Sequence, residues 1–556
     1  MSNDKNSISE RTDDSYGDEA QLASFGYKQY EAATFFWVLH RTWASFEAFM
    51  AGFGSLYVVG GARLLYAYGL YDGGPVALWT SMLVTVVLMT VTAACLAEIC
   101  SSIPLSGSIY VWAAEAGGKK YGRFFGFIVA YWSSTAWTSF VASNTQGTTN
   151  YILSEISVFN AYFPGGLDDS NIKFRTVQWI VSEAFLLIAI LSNLISPRRF
   201  AWIFKASAAI IFLDLILTVI WLPIGVSQTY GFQSAEWVFT KYYNGSGAKD
   251  PWNFMLAYLS TSGVLTGWDA SGHIAEETKN ASLASARGMF WSCVASGVLA
   301  FPLLILFLFC SPDLDTLFGI YTPQPFVTIY SLALGKGGQM VMTLVAMVGL
   351  LINTSLAVTA ASRLIFAIAR DGILPGSGWI GKVDKNGQPK NAIIFIGIIA
   401  AILLCTILPS SVAFTSLISC GGVPTIAAYA LIPTLRLIFT PGEFANAKWS
   451  CGRFSKLFCV IAAVWNTFLL GVLFSPLEFP VTGQNLNFAF AIFSFVTIAG
   501  AVSWWVVPED AWLSRRALGR LHDAAEGVHH GDQAQAVSTA TETNAADKPQ
   551  PVSTVN

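Results

Sequence analysis

The residues of this chain best placed to do chemistry lie between Gly263 and Ser282, where a long apolar run becomes polar. Asp269 and His273 fall at a depth where a membrane-spanning segment has no water to solvate them. Their spacing puts both side chains on one face of a helix. Asp269 could therefore hold the ammonium of a ligand or carry a proton, and His273 could relay protons near neutral pH. The plainer interpretations are that Asp269 caps a half-helix and that His273 packs against a neighbouring carbonyl.

Glycines stand beside these charges and recur in an earlier apolar run. They are Gly263, Gly267 and Gly272 in the later run, and Gly52, Gly54, Gly60 and Gly61 in the earlier one. Glycine-interrupted segments at matching positions of two halves indicate a transporter site, because a broken helix exposes N–H groups at one end and C=O groups at the other. Such ends suit an amphoteric ligand. Glycine in membrane helices also serves close packing, and that alternative stays open for the earlier run.

The composition defines the class of protein that positions these residues. Of 556 residues, 54% are hydrophobic and only 12% are charged, whereas soluble domains carry roughly 25% charged residues. The sequence therefore predicts an all-α polytopic membrane protein. The net charge of −3 gives no sign of nucleic-acid binding. No P-loop, nucleophile elbow, metal cluster or cysteine framework is recognisable, which argues against an enzyme, a cofactor and a bound metal.

About twelve segments are apolar and long enough to cross a bilayer. They lie near 42–70, 75–98, 123–155, 173–195, 199–225, 252–277, 284–310, 338–365, 391–408, 411–437, 456–475 and 485–507. One set of loops holds most of the Lys and Arg residues, which predicts a cytosolic N-terminus and C-terminus. We expect a transporter domain over residues 36–510 and disordered cytosolic tails over 1–35 and 511–556.

Other polar residues at membrane depth are further candidates. Arg63 could contact a substrate carboxylate, snorkel to the interface or pair with Asp72. Asp214 and Lys205 in the fifth segment could carry protons, although each alone is more typical of a paired structural charge. Asn353 lies in the middle of the eighth segment and could line a cavity.

Five stretches resemble the amino acid–polyamine–organocation superfamily, particularly fungal permeases for GABA, choline and polyamines. They are GWDASGHIAEE at 267–277, LAEICSSIPLSGSIY at 96–110, RLIFAIARDGILP at 363–375, NGQPKNA at 386–392 and LYDGGP at 70–75. The resemblance covers roughly residues 35–510. It implies twelve helices in an inverted five-plus-five repeat with two extra C-terminal helices, broken helices 1 and 6, and alternating access. It also implies a substrate site between helices 1, 3, 6, 8 and 10.

The resemblance assigns the first-helix backbone nest to Val59, Gly60 and Gly61. The small polar residue usual in its middle is absent, so Ser55 or backbone N–H groups would substitute. The candidate substrate-binding residues are Ser55, Val59, Gly60, Gly61, Arg63, Thr266, Gly267, Trp268, Asp269 and Asn353. The candidate proton-coupling residues are Asp269, His273, Asp214 and Lys205.

We therefore expect a secondary permease in the lipid bilayer that moves an amino acid, GABA or a related amine together with protons. The plasma membrane is the expected location, with the vacuolar membrane as the alternative. A choline or polyamine permease is a second hypothesis, since a quaternary ammonium favours aromatic neighbours such as Trp268. A third hypothesis is a nutrient receptor that binds without transport.

Overall fold

The computed structural model describes residues 43–509, except 169, 385–386, 410–412, 443, 445–446 and 483–485. The predicted tails at 1–35 and 511–556 lie outside the described residues. Within the described part the regular structure is helical, and extended pairing is limited to isolated bridges between Trp43 and Thr278 and between Asp72 and Asn244.

The helices of the first half surround a span that consists of two pieces. They are α1 (Ser45–Leu56), α2 (Val58–Tyr71), α3 (Gly74–Ser102), α4 (Ile109–Ala116), α5 (Gly118–Val158), α6 (Ile172–Asn193), α7 (Pro197–Gln228) and α8 (Ala235–Thr240).

The later helices also begin with a divided span. They are α9 (Asp250–Val264), α10 (Ala270–His273), α11 (Ala281–Phe309), α12 (Leu314–Gly319), α13 (Phe326–Arg370), α14 (Ser377–Ile380), α15 (Lys390–Leu404), α16 (Ala413–Phe439), α17 (Ser455–Phe474) and α18 (Ala489–Val506). We call the end of the bundle where α2 passes into α3 the outer end, and the end where α10 passes into α11 the inner end.

Ten helices of the described chain are long and apolar enough to cross a membrane, with α1 and α2 counted together. Two predicted spans fall outside this group. Helix α9 has only 15 residues, and α5 is rich in buried Ser, Thr and Asn. Burial orders the helices from the centre outwards. In an apolar stretch of 18 residues, 89% is buried in α1–α2, against 17% in α18. The divided first span therefore lies at the centre of the bundle.

The first span is interrupted at Tyr57, three residues before the glycine pair to which the sequence assigned the nest. Tyr57 has φ 37° and ψ 63°, in the left-handed region. Its ring fills the space that the glycines leave, because a Cβ at Gly60 would lie 2.2 Å from the ring and one at Gly349 2.1 Å from the hydroxyl oxygen. These glycines therefore serve close packing of the Tyr57 side chain.

The sixth span is interrupted over a longer stretch, between the end of α9 at Val264 and the start of α10 at Ala270. Gly267 lies in this linker with φ 120°, a conformation that other residues rarely adopt. The linker ends at Asp269. The polar segment predicted from the sequence is thus a break in the helix, and it lies in the same part of the bundle as the break at Tyr57.

Candidate functional site

A central cavity lies between the two helix breaks. It has a volume of about 80 Å³. Its lining comes from α1–α2, α5, the α9–α10 linker, α13 and α16, and comprises Leu56, Tyr57, Gly61, Leu64, Leu65, Ala136, Trp137, Phe140, Ser143, Asn144, Gly263, Thr266, Gly267, Asp269, Leu350, Asn353, Ile418, Gly421, Gly422 and Thr425. Asp269 is the single carboxylate among these described lining residues, and the set contains no Lys or Arg.

Asp269 is fully buried and held in place from α16. The Tyr429 hydroxyl donates to Oδ1 of Asp269 at 2.6 Å. The Tyr429 ring stacks on Trp268, with centroids 4.6 Å apart and planes at 22°. The Asp269 side chain makes no capping hydrogen bond to α10. Its position is therefore set by a neighbouring helix, which leaves the carboxylate available to the cavity.

His273 stands behind Asp269 on its inner side. Nε2 of His273 lies 3.0 Å from Oδ2 of Asp269. The contact does not have hydrogen-bond geometry, and neither atom has a hydrogen-bond partner among the described residues. We treat the contact as electrostatic. Nδ1 of His273 is 2.6 Å from Oγ of Ser108, and Trp137 packs edge-on against the ring at 5.2 Å. A protonated His273 would neutralise Asp269, and a neutral one would leave the carboxylate charged.

Asn353 links α13 to the broken first span. Its side-chain amide donates to the carbonyl oxygens of Gly54 and Ser55 at 2.6 and 2.8 Å. Its own oxygen accepts from Asn144 on α5. These bonds satisfy carbonyl groups at the end of α1 that the break would otherwise leave unpaired. Asn353 both lines the cavity and stabilises the break.

The structure separates the predicted substrate-binding residues into two groups. Gly61, Thr266, Gly267, Asp269 and Asn353 line the central cavity. The others do not line it.

Ser55, Val59, Gly60 and Trp268 are packed within the protein around the cavity. Arg63 is fully buried on the far side of Tyr57. In this conformation these residues support the cavity wall and do not face the cavity.

Arg63 and Asp214 form a buried ion pair between α2 and α7. Nη1 of Arg63 donates to Oδ1 of Asp214 at 2.8 Å and also contacts the Tyr330 hydroxyl oxygen at 2.7 Å. The Tyr57 hydroxyl donates to Oδ2 of Asp214 at 2.6 Å. This cluster holds the residue at the break against α7. Lys205, the other candidate on α7, is exposed, with Nζ 4.7 Å from the Trp202 ring centroid.

Ion pairs close the inner end below His273. Arg370 donates to both carboxylate oxygens of Glu276, at 2.9 and 3.0 Å. Nε of Arg363 donates to Glu277 at 2.9 Å, and the Arg363 guanidinium lies over the Trp43 ring at 5.3 Å. These contacts join the segment after α10 to α13 and to the residues before α1.

Several residues in or beside the candidate site were missed by reasoning from the sequence. Tyr429, Trp137, Phe140 and Asn144 lie in the long helices α5 and α16, where no helix break or adjacent charge distinguishes them from other residues. The Gly421–Gly422 pair also lines the cavity, from α16, which continues as a helix through both residues.

Comparison with known proteins now identifies the family. Residues 44–498 match the family described as Amino acid permease. The chain belongs to the amino acid permease family. It is 48% identical over 530 residues to the thiamine transporter thi9 of Schizosaccharomyces pombe, covering 91% of this chain and 88% of that protein. It is 26% identical over 515 residues to the amino-acid permease BAT1 of Arabidopsis thaliana, covering 89% and 95% of the two chains.

Among solved structures, the Eremococcus coleocola manganese transporter is similar with a TM-score of 0.47 and 13% identity, covering 86% of this chain and 95% of that chain. Family membership confirms the resemblance to the amino acid–polyamine–organocation superfamily that the sequence motifs indicated. This amino acid permease family member is a multi-pass membrane transporter and not an enzyme.

Proposed function

We propose that this protein is a secondary permease for an organic cation, thiamine, which it moves by alternating access. The observation that carries the proposal is the pairing of one buried carboxylate, Asp269, with the aromatic side chains of Tyr57, Trp137 and Phe140 around the central cavity. Thiamine has a permanent positive charge on an aromatic ring. A carboxylate and aromatic faces stabilise such a charge in a site of low dielectric constant.

The charge balance of the cavity supports a cation over a zwitterion. A substrate carboxylate would need a cationic partner or free N–H groups, and Arg63 is committed to Asp214. The 48% identity to a thiamine transporter over most of both chains points in the same direction. The amino acid or GABA substrate expected from the sequence remains a second candidate, because the family description and the plant relative name amino acids.

The transport cycle that we propose uses both helix breaks. Helices α5 and α9 would complete twelve spans, and the two divided spans would begin the two inverted halves. The central cavity of about 80 Å³ is too small for thiamine as it stands, so the surrounding helices would have to separate at one end to admit it. The inner ion pairs of Glu276 and Glu277 would have to break for release.

We further propose that transport is coupled to protons through Asp269 and His273, in the plasma membrane. The support is the 3.0 Å contact between the two side chains. Loading of the cation onto Asp269 would displace the positive charge of His273, because two cations cannot share one buried carboxylate at low cost. A proton would then leave His273 as the substrate binds, or return after release.

Uptake of labelled thiamine in cells lacking their own transporter tests this proposal. We expect saturable uptake that choline, spermidine, GABA and amino acids inhibit only weakly, and whose rate changes when the pH gradient is collapsed. Asp269→Asn should lower uptake by about 100-fold, since a charged contact of 2–3 kcal/mol is lost. Asp315→Asn removes an exposed charge from α12 and is the matched control.

The outcomes separate the parts of the proposal. Uptake of GABA or an amino acid without thiamine uptake would replace the substrate. Thiamine uptake that is insensitive to the gradient would exclude proton coupling and leave exchange or uniport. Wild-type uptake by the Asp269→Asn variant would remove Asp269 from the mechanism.

A further inference from the structure

A second cavity opens at the outer end of the bundle, away from the central site. Its volume is about 550 Å³, within the range of small-molecule sites. Its walls come from the end of α2, the α12–α13 connection, the start of α16 and the segment between α17 and α18. We call it the outer vestibule.

The vestibule is acidic and aromatic. Asp72 and Glu478 supply its two carboxylates, and its described lining residues contain no Lys or Arg. The aromatic residues in the wall are Tyr68, Tyr71, Phe318 and Tyr321. Aromatic faces beside carboxylates favour an organic cation over a metal ion, which would require several oxygen ligands around one point.

Asp72 is an unusual residue to find in such a wall. Its side chain is 4% exposed, and Oδ1 has no hydrogen-bond partner among the described residues. Burial and the nearby Glu478 carboxylate raise the pKa of Asp72 well above its ordinary value. A buried carboxylate oxygen without a hydrogen-bond partner costs free energy that a bound cation would recover.

The vestibule lies on the path to the central cavity. On α2, Leu64 and Leu65 line the central cavity, while Tyr68 and Tyr71 line the vestibule one to two turns further out. On α16, Ile418 lines the central cavity and Ser416 lines the outer vestibule. A ligand in the vestibule is therefore positioned to move along these two helices to Asp269.

We propose that the outer vestibule is a loading site that binds an organic cation through Asp72, Glu478 and the surrounding aromatic rings before it reaches Asp269. The choice of thiamine as the cation rests on the proposed function. The site itself rests on the vestibule geometry and is open to a different organic cation.

Equilibrium binding to purified protein separates the two sites. Wild-type protein should bind labelled thiamine at two sites, and Asp269→Asn should keep one, which tetramethylammonium displaces. Adding Asp72→Asn to that variant should lower the remaining affinity by at least about tenfold, the effect of one lost charge contact. Glu478→Gln, at an exposed position, should weaken it several-fold without affecting folding.

The control is Asp315→Asn, which removes a carboxylate from α12, outside the vestibule lining. It should leave thiamine binding at the second site unchanged.

In uptake assays Asp72→Asn and Glu478→Gln should raise KM and leave the maximal rate nearly unchanged. The inference is overturned if Asp269→Asn alone abolishes all thiamine and tetramethylammonium binding, or if Glu478→Gln and the control behave alike. Failure of thiamine uptake by wild-type protein would instead overturn the proposed function.

Discussion

At the scale of single residues, the site depends on how Asp269 is held. Tyr429 donates the hydrogen bond that fixes Oδ1, and its ring supports Trp268. Asp269 makes the contact on which the proposed cation recognition depends, and Tyr429 positions it. The two roles predict different effects of substitution.

Tyr429→Phe keeps the ring and removes the donor to Asp269. We expect KM for the substrate to rise about tenfold, because a hydrogen bond to a charged group contributes about 1.5–3 kcal/mol. The stacked ring should keep the protein folded. Tyr258→Phe removes a hydroxyl from α9 outside the cavity and is the control. Equal KM values for the two variants would show that Tyr429 does not position Asp269.

Arg63 and Asp214 illustrate a different kind of buried charge. Arg63→Met should destabilise the protein by about 3–5 kcal/mol, because it leaves Asp214 buried without its partner. The double variant Arg63→Met with Asp214→Leu should recover most of that loss, which thermal unfolding in detergent would measure. A double variant that regains stability but loses substrate affinity would instead place Arg63 in contact with the substrate.

At the scale of elements, the sixth span must stay broken for Asp269 to reach the cavity. Gly267 has φ 120°, and a Cβ placed there would meet no atom within 4 Å. Substitution would therefore act through backbone strain alone and not through a clash.

Gly267→Ala should cost about 1–3 kcal/mol of backbone strain and greatly reduce transport, since the linker would shift towards a continuous helix. Uptake and thermal unfolding together check this. Gly471→Ala on α17 is the matched control, because a Cβ there also meets no atom within 4 Å and the backbone is helical. It should be neutral or slightly stabilising. Equal activity of the two variants would contradict a role for the linker conformation.

At the scale of the whole molecule, the distribution of Lys and Arg predicts which end of the bundle faces the cytosol. In a Cys405→Ser background, an impermeant maleimide added to intact cells should label Lys249→Cys at the outer end. It should label Lys382→Cys, near the inner end, only after the cells are opened. Both residues are exposed, so access alone would decide the result. The reverse labelling pattern would contradict the predicted orientation of the bundle in the membrane.

The sequence also located much of the candidate site. Gly61, Thr266, Gly267, Asp269 and Asn353 were candidates and line the cavity. They could be found because glycine and polar residues are conspicuous in apolar helices. Tyr57 and Tyr429 could not, because an aromatic residue inside an apolar run carries no local signal of its role.

The sequence by itself determined the membrane class, the helical architecture and the polar break before α10. These follow from local composition, since lipid requires each spanning segment to satisfy its own backbone. Only the tertiary structure decided the partners of the buried charges. Asp214 lies 151 residues from Arg63, and Tyr429 lies 160 residues from Asp269. Packing brings such residues together, and no local pattern records which helices become neighbours.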